Sequence, residues 1–231
     1  MALAQAFREA TAGELSAAEA PAEYHRVAKR AQLRLDQLYS TVAEEGKVPI
    51  ACRAGCSTCC HMKVETRAHD LLPLAAWIKE HFSAEQQAAL MGRLEAYIAR
   101  TEGQSVEQQL RINFPCPLLS AEGWCTAYEA RPATCRVAHS IDVKPCLYAF
   151  EHPEDLDAPT GADKDMRLIM RVAHDAVAWA FQEGGHDMEL YQLSAGLAEA
   201  LKDPTAQERW QAGERAFSDA ALSRGTPAAK E

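Results

Sequence analysis

No stretch of this 231-residue chain stays apolar for the roughly 18 residues that a membrane helix requires. The first twenty residues scatter Arg8, Glu9, Glu14 and Glu19 among alanines. They therefore lack the basic start and unbroken apolar stretch of a secretory leader. No block of lysine and arginine relieves a net charge of −9, so a polyanion such as DNA or RNA would be repelled. No strand-like alternation, internal repeat or low-complexity tract occurs, and no glycine-rich nucleotide loop. The expectation is a cytoplasmic protein without a membrane or nucleic-acid partner, which leaves small ligands and other proteins.

Cysteine is missing from both ends of the chain. All eight, Cys52, Cys56, Cys59, Cys60, Cys116, Cys125, Cys135 and Cys146, fall between residues 52 and 146. A reducing cytosol keeps such thiols unpaired. Cysteines scattered as small core hydrophobes would not be segregated in this way.

The flanks read as helical. From Pro21 to Glu45 the apolar residues Tyr24, Ala28, Ala31, Leu35, Leu38 and Val42 recur on one stripe, with proline at the first turn and Gly46 as a stop. A weaker helix precedes it over 2–18. Further helices are expected over Thr66 to Phe82, after the capping pair Ser83 and Gln86 as far as Gly103, from Asp163 to Gly184, over 187–202 and over 204–222, with a frayed tail at 223–231. Between residues 113 and 160, six prolines and four cysteines replace any long helical period, leaving one short helix around 127–136 interrupted at Pro132. The fold class expected is all-α, a single domain over 1–231. It is an irregular helical bundle with a loop-rich, metal-organised cysteine region at 52–146, between helical arms 1–46 and 160–222. Metal bonds can order a segment that hydrophobic burial cannot.

The stretch "ACRAGCSTCCHMK" sets four thiols in nine positions. Wound as a helix, Cys52, Cys56, Cys59 and Cys60 would share a face; Gly55 makes a turn at least as suitable. In a turn, backbone N–H groups around Cys56 and Cys59 would stabilise thiolate charge. The adjacent Cys59 and Cys60 should diverge. Either one stands behind the ligands, or the two serve different metals or different irons of a cluster. Cys116, Cys125 and Cys135 are too widely spaced to clamp an ion locally and must be delivered by the fold, Cys116 stiffened between Pro115 and Pro117. Cys146 follows Pro145 and is left outside the ligand set. His61 and His139 are nitrogen donors close to cysteines, and Arg131 and Arg136 are donors able to face a thiolate-bound cofactor. Sulfur ligands select zinc, copper(I) or iron–sulfur over hard cations.

"CRAGCSTCC" followed by "CPLLSAEGWCTAYEARPATCR" resembles the YkgJ-like cysteine cluster family, associated with zinc or iron chelation. The resemblance covers about residues 52–136. It places the family positions on Cys56, Cys59, Cys60, Cys116, Cys125 and Cys135, with Cys52 leading and Tyr128, Glu129, Arg131, Pro132 and Arg136 completing the motif. It implies a metal-binding protein, and the expectation is that its thiolates hold an iron–sulfur cluster or a zinc or iron ion, while the flanking helices, to which the resemblance does not extend, form the scaffold and a surface for a protein partner. A similar cluster marks flagellin lysine methylases, so a redox or protein-modifying enzyme is the alternative. A metal-free thiol switch at Cys56, Cys59 and Cys60 is a third reading.

Overall fold

A computed structural model describes residues 1–53 and 55–223. Helices dominate: α1 (Ala2–Leu15), α2 (Pro21–Glu45), α3 (Ala68–His81), α4 (Ala84–Thr101), α5 (Val106–Leu110), α6 (Ala133–Val137), α7 (Val143–Glu151), α8 (Lys164–Glu183), α9 (Leu193–Lys202) and α10 (Ala206–Gln211). The all-α reading holds, with one addition. A two-residue antiparallel pair, β1 (Glu65–Thr66) and β2 (Tyr191–Gln192), ties the entrance of α3 to that of α9.

Local sequence explains the principal helices. α2 starts at Pro21, where a missing N–H costs nothing, and the Glu23 carboxylate accepts from the backbone of Glu19 and Ala20 at 2.8 and 3.0 Å. Its expected stripe faces inward, with Ala28, Ala31 and Leu35 buried and Tyr24, Leu38 and Val42 partly so. Ser83 and Gln86 form the reciprocal cap of α4. Asp163 caps α8 by accepting from the Met166 N–H at 2.8 Å. α8 packs against α1 and α2, and α9 against α3 and α4. Their shared core is filled by Leu71, Leu74 and Ile78 of α3, Leu90 and Leu94 of α4, Met166, Met170 and Phe181 of α8 and Leu197 of α9. Each such side chain withdrawn from water contributes about 2 kcal/mol.

Departures from the expected boundaries have physical causes. The helix expected over 187–202 begins only at Leu193. Before it, the Asp187 carboxylate accepts from the backbone of Glu189 at 2.9 Å and of Ala216 at 3.0 Å, and from the Tyr191 hydroxyl, which holds 187–192 in a loop. The helix expected over 204–222 ends at Gln211, and the chain turns at Gly213 before a short 3₁₀ turn at Asp219–Ala221. The tail expectation lies outside the described residues beyond Ser223. Within 113–160 the structure adds α7, which the prolines obscured.

At the centre stands a buried carboxylate, Asp70. It accepts from the Gln32 amide of α2 at 2.9 Å, from the Thr66 hydroxyl at 3.0 Å and from the Ala133 N–H at 3.1 Å. Ala133 opens α6, so this one residue links α2, β1 and α6. Beside it, His69 is stacked on Phe181 with ring centroids 4.4 Å apart, and both its ring nitrogens are shielded without partners.

Replacing Asp70 with alanine strands three donors and should lower unfolding free energy by about 3 kcal/mol, read from urea denaturation. Burial holds the imidazole of His69 at a pKa of about 4, against 6.5 when exposed. The unfolded chain thus takes up a proton that the native one refuses, and stability falls as pH drops from 6.5 toward 4. The loss from this residue is roughly 3 kcal/mol when complete. His69→Phe should flatten that acid limb in denaturation curves recorded between pH 7 and pH 4.5.

Candidate metal centre

The first thiol stretch is a turn followed by a tight coil, not an α-helix. Gly55 adopts φ +80°, a conformation that costs an L side chain energy, and Cys56 N–H returns to the Arg53 carbonyl at 3.0 Å. A 3₁₀ turn, Thr58–His61, follows, with Cys60 N–H bonded to Ser57 O at 2.9 Å. The face-sharing helix was the wrong geometry for this stretch, and the glycine turn the right one.

The later thiols are brought to it by backbone pairing. Cys116 N–H donates to Cys60 O at 2.7 Å and Phe114 N–H to His61 O at 3.0 Å. The chain then makes a small hairpin. Leu119 bridges to Cys125, Thr126 N–H donates to Leu118 O and Ser120 N–H to Trp124 O, both at 2.8 Å, while Leu118 is buried in the core. Cys135 rides on α6, which Asp70 holds at its first N–H and which Thr134 fastens to the Glu65 carbonyl at 3.1 Å. Arg136 pairs with Asp36 of α2 and donates to the carbonyls of Glu129 and Arg131. Its guanidinium is committed to bracing the "YEARP" turn. Arg131 lies over the Tyr128 ring at 4.1 Å, with its Nε shielded and unpartnered.

Electrostatics links Cys59, Cys60, Cys116, Cys125 and Cys135 as an inner group, and Cys59 acts on Cys52 outside it as well. Burial raises the Cys116 thiol to about 11, with the charges of Cys125 and Cys59 adding to the effect. Burial raises Cys135 to about 12, reinforced by Cys116, Cys59 and Cys125. Cys125 is raised by burial as well, while Arg131 opposes the rise at Cys125 and Cys135. Cys59 moves the other way, stabilised by the neighbouring Cys60 thiol, by its own backbone N–H and by Arg131, and Cys60 is raised in consequence.

The outer group is Cys52, Cys56 and Cys146. Cys52 is raised by burial and by the charges of Cys56, Cys59 and Cys146. It lies where Ala51 N–H pairs with Ser140 O at 2.8 Å, its own sulfur 4.0 Å from that carbonyl. Cys146, on α7, has its sulfur 3.9 Å from Asp142 O, and α7 packs on the 58–61 turn. His61 is engaged with Ser57 O at 3.1 Å and edge-on to Phe150. His139 bonds Val137 O through Nδ1 at 3.3 Å, while its Nε2 is shielded and unpartnered.

All eight cysteines are free thiols. Among the described residues no three Cys, His, Asp or Glu side chains are already closed to the spacing of a metal site. The donor set nevertheless fits a thiophilic metal. Sulfurs from three chain segments approach one another, and ionisation of Cys60, Cys116 and Cys135 is made harder by neighbouring thiols, a repulsion that a cation among them would reverse. The residues that position them were not legible as site residues. Asp70 belongs to an ordinary helical pattern, and Ser140 and Gly161 lie in loop sequence.

Fold and site define an all-α protein organised around convergent thiols. More particularly, residues 51–155, a little under half of the chain, match the family model CxxCxxCC, "Putative zinc- or iron-chelating domain". The match falls on the same segment as the motifs that resemble the YkgJ-like proteins. Comparison with curated proteins and with solved structures yields no match.

A Cβ added at Gly161 would run into the Ser140 hydroxyl and come within 2.6 Å of Asp142 O. Gly161→Ala should therefore lower stability by about 1–3 kcal/mol. It should also speed alkylation of Cys52 by loosening the 140–142 segment, read by mass spectrometry of iodoacetamide-treated protein.

Proposed function

We propose that this is a cytosolic metal-binding protein in which Cys59, Cys60, Cys116, Cys125 and Cys135 supply the thiolates that hold an iron–sulfur cluster or a zinc or iron ion. The observation that carries the reading is the backbone pairing of Cys116 with Cys60, which joins thiols 56 residues apart in sequence. The family match supports metal chelation in general. Eight free thiols suit a reducing compartment, and no helix among the described residues is long and apolar enough to cross a membrane.

The chain's own contribution is to hold the backbone while the side chains close on the metal by rotation about their Cα–Cβ bonds. Asp70 fixes α6 and Cys135, the hairpin fixes Cys125, and the 114–116 pairing fixes Cys116. Arg131 supplies positive charge beside Cys59, Cys125 and Cys135, offsetting thiolate excess. When bound, zinc would make a closed structural centre and an iron–sulfur cluster an electron-transfer centre. Because ligand bonds are part of folding free energy, metal loss should loosen 113–150 before the α1–α2–α8 core.

Protein purified anaerobically should contain iron or zinc by elemental analysis. Iron with acid-labile sulfide and broad visible absorption identifies a cluster, and colourless stoichiometric zinc a single-ion site. Cys125→Ser and Cys135→Ser should each abolish retention at this site and raise amide exchange in 113–150. Metal-free wild-type protein from careful preparations would overturn the reading, as would full retention in both variants.

A further inference from the structure

The stretch "KVETR", residues 63–67, is extended around β1, so successive side chains leave it on opposite sides. Thr66 turns inward, its hydroxyl donating to the buried Asp70 at 3.0 Å. Alternation puts Lys63, Glu65 and Arg67 on the other side, where Glu65 and Arg67 line an open cleft of about 330 Å³. That volume lies at the lower end of the range for small-molecule sites. The rest of the lining is largely apolar: Val106 at the start of α5, and Met188 and Leu190 in the loop before β2. Ser223 N–H donates to Leu190 O at 2.8 Å and fixes that wall.

Two of the three charges on this side satisfy each other. Lys63, its side chain only 2% exposed, pairs with the Glu65 carboxylate and donates to the Ser223 hydroxyl at 2.5 Å. That hydroxyl donates in turn to Glu65. Glu65 is the acceptor that strand spacing offers to Arg67, and it is engaged elsewhere. Among the described residues no carboxylate pairs with the Arg67 guanidinium, and its Nε is shielded from water without a partner. Leaving such a donor unpaired costs about 1–3 kcal/mol, which an anionic ligand would offset.

We infer that this cleft binds a small monocarboxylate carrying an aliphatic or aryl tail. The planar guanidinium of Arg67 takes the carboxylate through two parallel N–H bonds. Val106, Met188 and Leu190 take the tail out of water, and the flexible Met188 side chain adapts to its shape. Leu190, 39% exposed, is the apolar surface that the tail covers. Glu65 and Glu189 line the same cleft, so a doubly charged phosphate would meet two carboxylates for one uncommitted guanidinium. The singly charged carboxylate is therefore the fitting anion. No cysteine is among the described residues lining the cleft, which makes the site independent of the metal-binding reading.

The test uses the full chain as purified, labelled with carbon-13 at its methionine methyls and titrated in turn with hexanoate, phenylacetate, hexanamide and inorganic phosphate. Hexanoate and phenylacetate should compete for one saturable site and shift the Met188 methyl signal, assigned with Met188→Leu. Hexanamide and phosphate should bind about tenfold more weakly or worse, and so should hexanoate to Arg67→Gln. Leu190→Asp, on the rim, should weaken hexanoate binding to a similar degree while keeping the wild-type circular dichroism, which separates a lost site from a lost fold. Absence of saturable carboxylate binding to wild type would overturn the site, as would equal hexanoate affinity in wild type and Arg67→Gln. Phosphate binding as tightly as hexanoate would overturn the monocarboxylate assignment.

Discussion

Two backbone hydrogen bonds, from Cys116 to Cys60 and from Phe114 to His61, hold the cysteine region together. They carry no sequence signature, since any residues except proline can donate in this way. Yet without them the early thiol stretch and the later cysteines would be separate loops. The prolines flanking Cys116 sharpen the effect. Pro115 and Pro117 offer no competing N–H, so the donor of Cys116 has no rival beside it. The two nearest residues with an N–H to give, Phe114 and Cys116, are the two that pair.

A helical scaffold then fixes where this pairing sits. Asp70 is the joint between scaffold and thiols: a carboxylate shielded from water, satisfied by three donors from three segments, one of them the first N–H of the helix that carries Cys135. Arg136 performs the complementary task from the other end of that helix, against Asp36. The result is an arrangement that is favourable for the backbone and unfavourable for the sulfurs. Burial and mutual repulsion push Cys116 and Cys135 well above the ordinary thiol range. Such a collection is poor as a set of free thiolates and good as a set of ligands, because a bound cation changes the sign of the dominant interaction.

How much of this could be read from residues alone varied with the range of the interaction. Helix α2 was legible to its first and last residue, because proline, glycine and an apolar stripe are local signals. The Ser83 cap and the Asp163 start were legible for the same reason. The loop at 187–192 was not, since it depends on Asp187 reaching Ala216, far along the chain. Helix α7 was hidden by Pro145, which a first turn tolerates, and by exposed apolar residues that do not mark an inward face. For the site, residue identity was legible and partnership was not. Composition picked out the cysteines, and the motif separated seven of them from Cys146. Only folding brings the Cys52 and Cys146 sulfurs to the 140–142 segment, at carbonyls of residues 140 and 142 that no spacing rule would select.

The central claim is that sulfur from distant parts of the chain surrounds one inorganic centre. X-ray absorption at the zinc or iron edge of the purified protein reads this directly. The account predicts a first shell dominated by sulfur at about 2.3 Å. A shell made only of nitrogen and oxygen would contradict it.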